Sequence, residues 1–117
     1  MVLFAAFVLI LCGLIHSILG EKYLLIRLFK RDNLPHLYGS DAFTKGTLRF
    51  TWHITSFAWF GLAALLIFHH LGDFNQLLNV IAVVFLASSI CSAFFTKGKH
   101  FSWLLFLLVS ISCYISV

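Results

Sequence analysis

Charge is the scarcest commodity in this sequence. Only 10% of the 117 residues are Asp, Glu, Lys or Arg, and four of those are acidic. A soluble domain carries about 25% charged residues and roughly 45–50% apolar ones. Here the apolar share is 62%. Such a chain has too little polar surface to cover its apolar mass in water, which excludes a soluble domain. The three cysteines, Cys12, Cys91 and Cys113, form no CxxC motif, and none lies in a loop, so a disulfide framework is excluded as well. Each reads as a small buried hydrophobe. No acid/base pair, activated nucleophile or phosphate-binding loop is visible, so nothing points to an enzyme.

What remains is four apolar stretches: Met1 to Gly20, Phe50 to Leu71, Leu77 to Phe95 and Phe101 to Val117. None contains Asp, Glu, Lys or Arg. A spanning helix needs about 20 apolar residues, within a range of roughly 17–25, and all four fit, the last at the short limit. Lipid offers the backbone no hydrogen-bond partner, so each span is a helix or part of a closed barrel. Continuous apolar runs rather than alternation exclude the barrel. The expectation is a single all-α domain over 1–117, an integral membrane antiparallel four-helix bundle with spans near 1–20, 50–71, 77–95 and 101–117. The first stretch has no positive charge before its apolar core, which favours a retained helix over a cleaved leader.

The basic residues fall in two places. Lys22, Arg27, Lys30, Arg31, Lys45 and Arg49 lie between the first two spans, and Lys97 and Lys99 between the last two. The remaining loop, "GDFNQ", holds Asp73 and no cation. The positive-inside rule then places loops 21–49 and 96–100 in the cytoplasm of a bacterial inner membrane and both termini outside. The formal charge of +4 is membrane-surface charge rather than a nucleic-acid footprint. In "YLLIRLFKR", Arg27, Lys30 and Arg31 share one helical face. That pattern suits an amphipathic segment at the interface or a first helix continuing past the lipid, its basic face meeting anionic headgroups. Pro35 and Gly39 mark turns, Ser40 or Asp41 offers an N-cap near which the second helix starts, and Gly46 reads as a weak point in it.

Small residues mark helix contacts, because they let membrane helices approach closely. Gly13, Ser17 and Gly20 form one stripe, Gly61, Ala63 and Ala64 a second, and Ala87, Ser88, Cys91 and Ser92 a third. Trp52 and Trp103 read as interface anchors. Six histidines in so apolar a chain are the best chemical clue. His16 lies about 6 Å inside the end of its span and His53 about 5 Å inside its own, at 1.5 Å per residue. With antiparallel helices, both reach one depth on the cytoplasmic side. Cys91 reaches the same level on the third span, and His100 caps the fourth.

Burial keeps imidazole neutral and leaves a lone pair for a ligand. Two facing histidines would hold the iron of a haem b, with the fourteen Phe residues supplying apolar walls. A smaller transition metal would draw on His16, His53, Cys91 and His100. A proton or quinone site at His53 is a different reading of the same residues. Against all of these stands simple hydrogen bonding to neighbours such as Ser17, Thr55 or Ser56. The adjacent pair His69 and His70 points about 100° apart and cannot clasp one iron. Small multidrug transporters, four-helix disulfide-forming oxidoreductases and four-helix di-haem cytochromes all differ, by an intramembrane glutamate, paired cysteines and histidine pairs at both faces. The expected function is therefore haem or metal binding, in electron transfer or metal handling. Its alternative is a non-catalytic accessory or assembly subunit that packs against further copies of itself or a larger membrane partner.

Overall fold

The computed structural model describes all residues from Met1 to Val117. The chain is all-helical, and its one isolated β-bridge closes a turn between Leu37 and Ser40. The first helix is regular over Val2–Leu19, winds as a π-helix over Gly20–Leu25 and ends with Ile26–Leu28. Together these form α1, Val2–Leu28. The second, α2, runs Ala42–His70, beginning just after Ser40 and Asp41 as the sequence suggests. The N-cap residue is Asp41, whose side chain makes no capping bond; the Ser40 hydroxyl accepts from the Ala42 N–H at 3.3 Å. A short 3-10 turn, Phe74–Gln76, leads into α3, Leu77–Thr96. The last helix, α4, covers Ser102–Ile115.

Val2–Leu28, Ala42–His70 and Phe74–Thr96 are long and apolar enough to cross a membrane. The 14 residues of α4 make a helix of about 21 Å, short of the ~30 Å hydrocarbon layer. Tight turns explain the short connections. Lys97 and Gly98 take left-handed backbone angles after α3, and the Gly98 N–H returns to the Ala93 carbonyl at 2.8 Å. That is the usual way to close a helix C-terminus.

The helices do not gather around a common centre. α1 packs on α2, α2 on α3 and α3 on α4, while α1 touches neither α3 nor α4 and α2 does not touch α4. The extents are 51 × 32 × 13 Å, so the short dimension is about one helix diameter. The expected bundle is thus an open row. Only fifteen residues are buried, too few for a shared core, and six of them are serine or threonine. Packing is therefore seam by seam. Between α1 and α2, Gly13 abuts the Phe60 ring and Gly20 the Trp52 indole. Between α2 and α3, Gly46 lies against the Phe95 carbonyl and Gly61 against Val84. These glycines let the neighbouring helix come close; at Gly46 the neighbour is backbone and any side chain would hold α3 off, whereas at the other three it is a side chain.

Candidate functional site

The densest polar chemistry lies in the α1–α2 seam. On α1, Gly13, Ser17 and Glu21 recur every four residues and so share a stripe. On α2, Arg49, His53 and Ser56 follow at spacings of four and three and also share a face. The π-wound turn, in which the Ile26 N–H returns to the Glu21 carbonyl, begins where Gly20 meets Trp52 and Glu21 meets α2. Such widened turns are frequent at functional sites. Glu21 then bridges two residues of α2. Its Oε1 takes the Arg49 Nη2 at 2.6 Å, and its Oε2 lies 2.9 Å from His53 Nε2. The other ring nitrogen of His53, Nδ1, is 3.0 Å from Ser17 Oγ. Ser17 Oγ is 2.7 Å from Ser56 Oγ, and Ser56 donates to the Gly13 carbonyl at 2.9 Å. A continuous chain of contacts therefore runs from Arg49 to the Gly13 backbone.

His53 has Phe95 of α3 stacked on it, with ring centroids 6.3 Å apart. The Arg49 guanidinium lies over the rings of Phe29 and Phe95 at 4.9 and 5.8 Å. The Arg49, Glu21 and His53 side chains remain 29%, 28% and 18% exposed, so this end of the chain reaches the surface. The opposite end does not, since Ser56 is fully buried.

His16 occupies the other flank of the same seam. It stacks on Trp52, centroids 4.4 Å apart and planes 3° from parallel, with the edge of Trp59 at 5.0 Å. Its Nε2–H donates to the Trp52 carbonyl at 3.2 Å, and the Trp52 indole N–H returns to the His16 carbonyl at 2.9 Å. Trp52 is thus a seam residue of α1 and α2 rather than a free interface anchor. His16 opposes Trp52 while Ser17 opposes His53, and consecutive helix residues point about 100° apart. The two histidines therefore lie at a similar level but on opposite flanks.

The other candidates are dispersed. His100 bonds Ser102 through Nδ1 at 2.8 Å and lies between Phe43, stacked at 5.7 Å, and the edge of Phe50 at 5.0 Å. Cys91 is a half-buried free thiol on α3. No group of three or more His, Cys, Asp or Glu comes close enough to hold a metal ion. The expected ligand set of His16, His53, Cys91 and His100 is therefore not assembled. Both nitrogens of His53 are engaged, so it presents no lone pair to a haem iron or metal without giving up Ser17 or Glu21. Shared depth followed from span length, but azimuth and hydrogen bonding decide what a histidine faces. Arg27, Lys30 and Arg31 are exposed, Arg27 over the Tyr23 ring at 5.6 Å and Arg31 bonded to Asn33 at 3.1 Å.

Sequence reasoning missed Glu21. The signal was present: one of only four acidic residues, four positions past Ser17 on the glycine stripe. No protein-family model matches the chain, and neither does any curated protein or solved structure.

Proposed function

We propose that this is a four-span antiparallel protein of the bacterial inner membrane, serving as a non-catalytic packing subunit of a larger membrane assembly. The observation that carries the reading is the single row of helices, with two broad apolar faces and no core of its own. Seam partners support the antiparallel order. Residues 13, 17 and 21 of α1 meet 56, 53 and 49 of α2, so one helix ascends as the other descends. The positive-inside rule supports both termini outside and the basic loops in the cytoplasm. The short α4 spans by local thinning of the bilayer or by leaning on a neighbour. The exposed Arg27, Lys30 and Arg31 meet anionic headgroups at the cytoplasmic surface.

Haem or metal carriage is the weaker reading, because the histidines are spent on helix–helix bonds. The test is protein purified in mild detergent. The expected result is a colourless, metal-free chain recovered in particles larger than one copy. A Soret band, or stoichiometric metal lost in His53→Ala, would overturn the packing-subunit reading. So would a strictly monomeric chain that retains its function in the cell.

A further inference from the structure

The hydroxyl and imidazole protons along the α1–α2 seam can be counted, because the end of the chain has a fixed direction. A carbonyl only accepts, so Ser56 spends its single hydroxyl proton on Gly13. The 2.7 Å contact between the serines then needs the proton of Ser17. Ser17 has none left for His53, so the 3.0 Å contact is made by Nδ1–H of His53 donating to Ser17 Oγ. At the far side of the ring, Nε2 lies 2.9 Å from a carboxylate oxygen of Glu21. If Nε2 were bare, two lone pairs would face each other there. The contact requires one more proton, and since the other carboxylate oxygen faces the Arg49 guanidinium, that proton belongs on the imidazole.

We propose that His53 is a proton-binding residue whose state is relayed through Ser17 and Ser56 to the Gly13 carbonyl, and that the structure holds this relay in its protonated form. When His53 gives one proton to water, the neutral ring keeps Nε2–H on Glu21 and turns its Nδ1 lone pair to Ser17. Ser17 then donates to His53, Ser56 swings to donate to Ser17, and the Gly13 carbonyl keeps only its helical bond. One proton leaves, two hydroxyls rotate, and every group except the Gly13–Ser56 contact remains satisfied. Eight residues separate Glu21 from Gly13, so a proton taken up near the surface is read about 12 Å deeper in the helix pair. The charged or titratable groups facing the ring are Glu21 from α1 and Arg49 from α2 itself, while α3 contributes the uncharged Phe95. Exposure falling from about a quarter at Glu21 and Arg49 to none at Ser56 gives the relay a wet end and a dry end.

The full chain in lipid bilayers, with 15N-labelled histidine rings, reports the state of His53 across a pH series, assigned by its loss in His53→Gln. In a second sample, 13C-carbonyl glycine paired with 15N-leucine selects only Gly13 and Gly61, because Gly–Leu occurs only there. At the acid end both ring nitrogens of His53 carry protons; at the alkaline end Nε2 alone does. The Gly13 carbonyl signal shifts with the same midpoint, while Gly61 stays still. In Ser17→Ala, His53 still titrates but Gly13 no longer follows. A Gly13 signal indifferent to pH while His53 titrates would overturn the relay, as would a neutral His53 protonated at Nδ1. A pH response of Gly13 surviving in Ser17→Ala would do the same. Should that variant fail to fold, the two wild-type titrations decide on their own.

Discussion

Replacing Gly46 with alanine places a methyl group against the carbonyl of Phe95. In an unencumbered helix interior the exchange is favourable by about 0.8–1.0 kcal/mol, because glycine loses more backbone freedom. At Gly46 the sign reverses, because of what the methyl meets. Its neighbours are the Phe95 carbonyl oxygen and carbon, then the Thr96 nitrogen at 3.3 Å, all of them backbone. No rotamer change clears the space, so α2 and the end of α3 must part. Parting them loosens Phe50, which is 1% exposed, and its 5.0 Å edge contact with His100. Overpacking costs about 1–3 kcal/mol, and an immovable backbone puts this site at the upper end. After the propensity gain, the expected net loss is about 2 kcal/mol. Gly61 is the matched control. There the methyl meets Val84 Cγ2 at 2.6 Å, a side chain that can turn aside, so Gly61→Ala should stay within about 1 kcal/mol of the parent. Both variants are compared by reversible unfolding in mixed micelles titrated with SDS. If Gly46→Ala proves as stable as Gly61→Ala, the close approach of α2 to α3 is refuted.

Three further outcomes are expected. Glu21→Gln removes the ion pair to Arg49, whose partners are 28–29% exposed, so the same unfolding assay should register a loss of about 1 kcal/mol or less that shrinks with added salt; a salt-independent loss would contradict the pairing. The Lys45 ammonium, hydrogen-bonded to Asp41 at 2.8 Å, holds that carboxyl below its usual value of 3.8. Its small contribution is present above that value and disappears as acid protonates it. A carboxyl-detected NMR titration should therefore find Asp41 below 3.8, rising toward the ordinary range in Lys45→Met, and no change on that substitution would remove the pair from the account. Reporter fusions after Val117 and beside Asp73 should both signal the outside, and a cytoplasmic signal from either would reverse the proposed topology.

The helices were legible because their cause is local. An uninterrupted apolar run and a hydrogen-bond-poor solvent leave the backbone no other solution. The stripe Gly13, Ser17, Gly20 also revealed itself, since only a neighbouring helix makes use of small side chains in lipid. What the pattern did not carry was the number of neighbours. Periodicity assigns each helix a contact face, and short turns assign the next helix to it, but neither brings α1 back to α4. The row, rather than the bundle, is decided by contacts that local sequence does not encode. Gly46 is a related case: in the sequence it reads as a weak point of α2, and in the structure it is where α2 meets the backbone of α3. The histidines divide in the same way. Depth followed from counting residues, while azimuth placed His16 on Trp52 and His53 on Glu21, on opposite flanks.

An open row also explains why the polar residues are spread as they are. A bundle has one core, and each helix is held by several others. In a row every seam must hold by itself, and each seam here uses a different device. The α1–α2 seam carries the charged chain from Arg49 to Gly13. The α2–α3 seam relies on the backbone approach at Gly46 and on Phe50 beneath His100. The α3–α4 seam is fastened by serines: Ser89 to the Trp103 carbonyl at 2.6 Å, Ser92 with Ser102 at 2.7 Å, and Ser110 to the Ala82 carbonyl at 2.8 Å. Side-chain bonds between membrane helices average about 0.6 kcal/mol, so three of them amount to roughly 2 kcal/mol along that seam. Imidazoles reach every seam: His16 and His53 stand in the first, and His100 lies against Phe50 in the second and bonds Ser102 at 2.8 Å in the third.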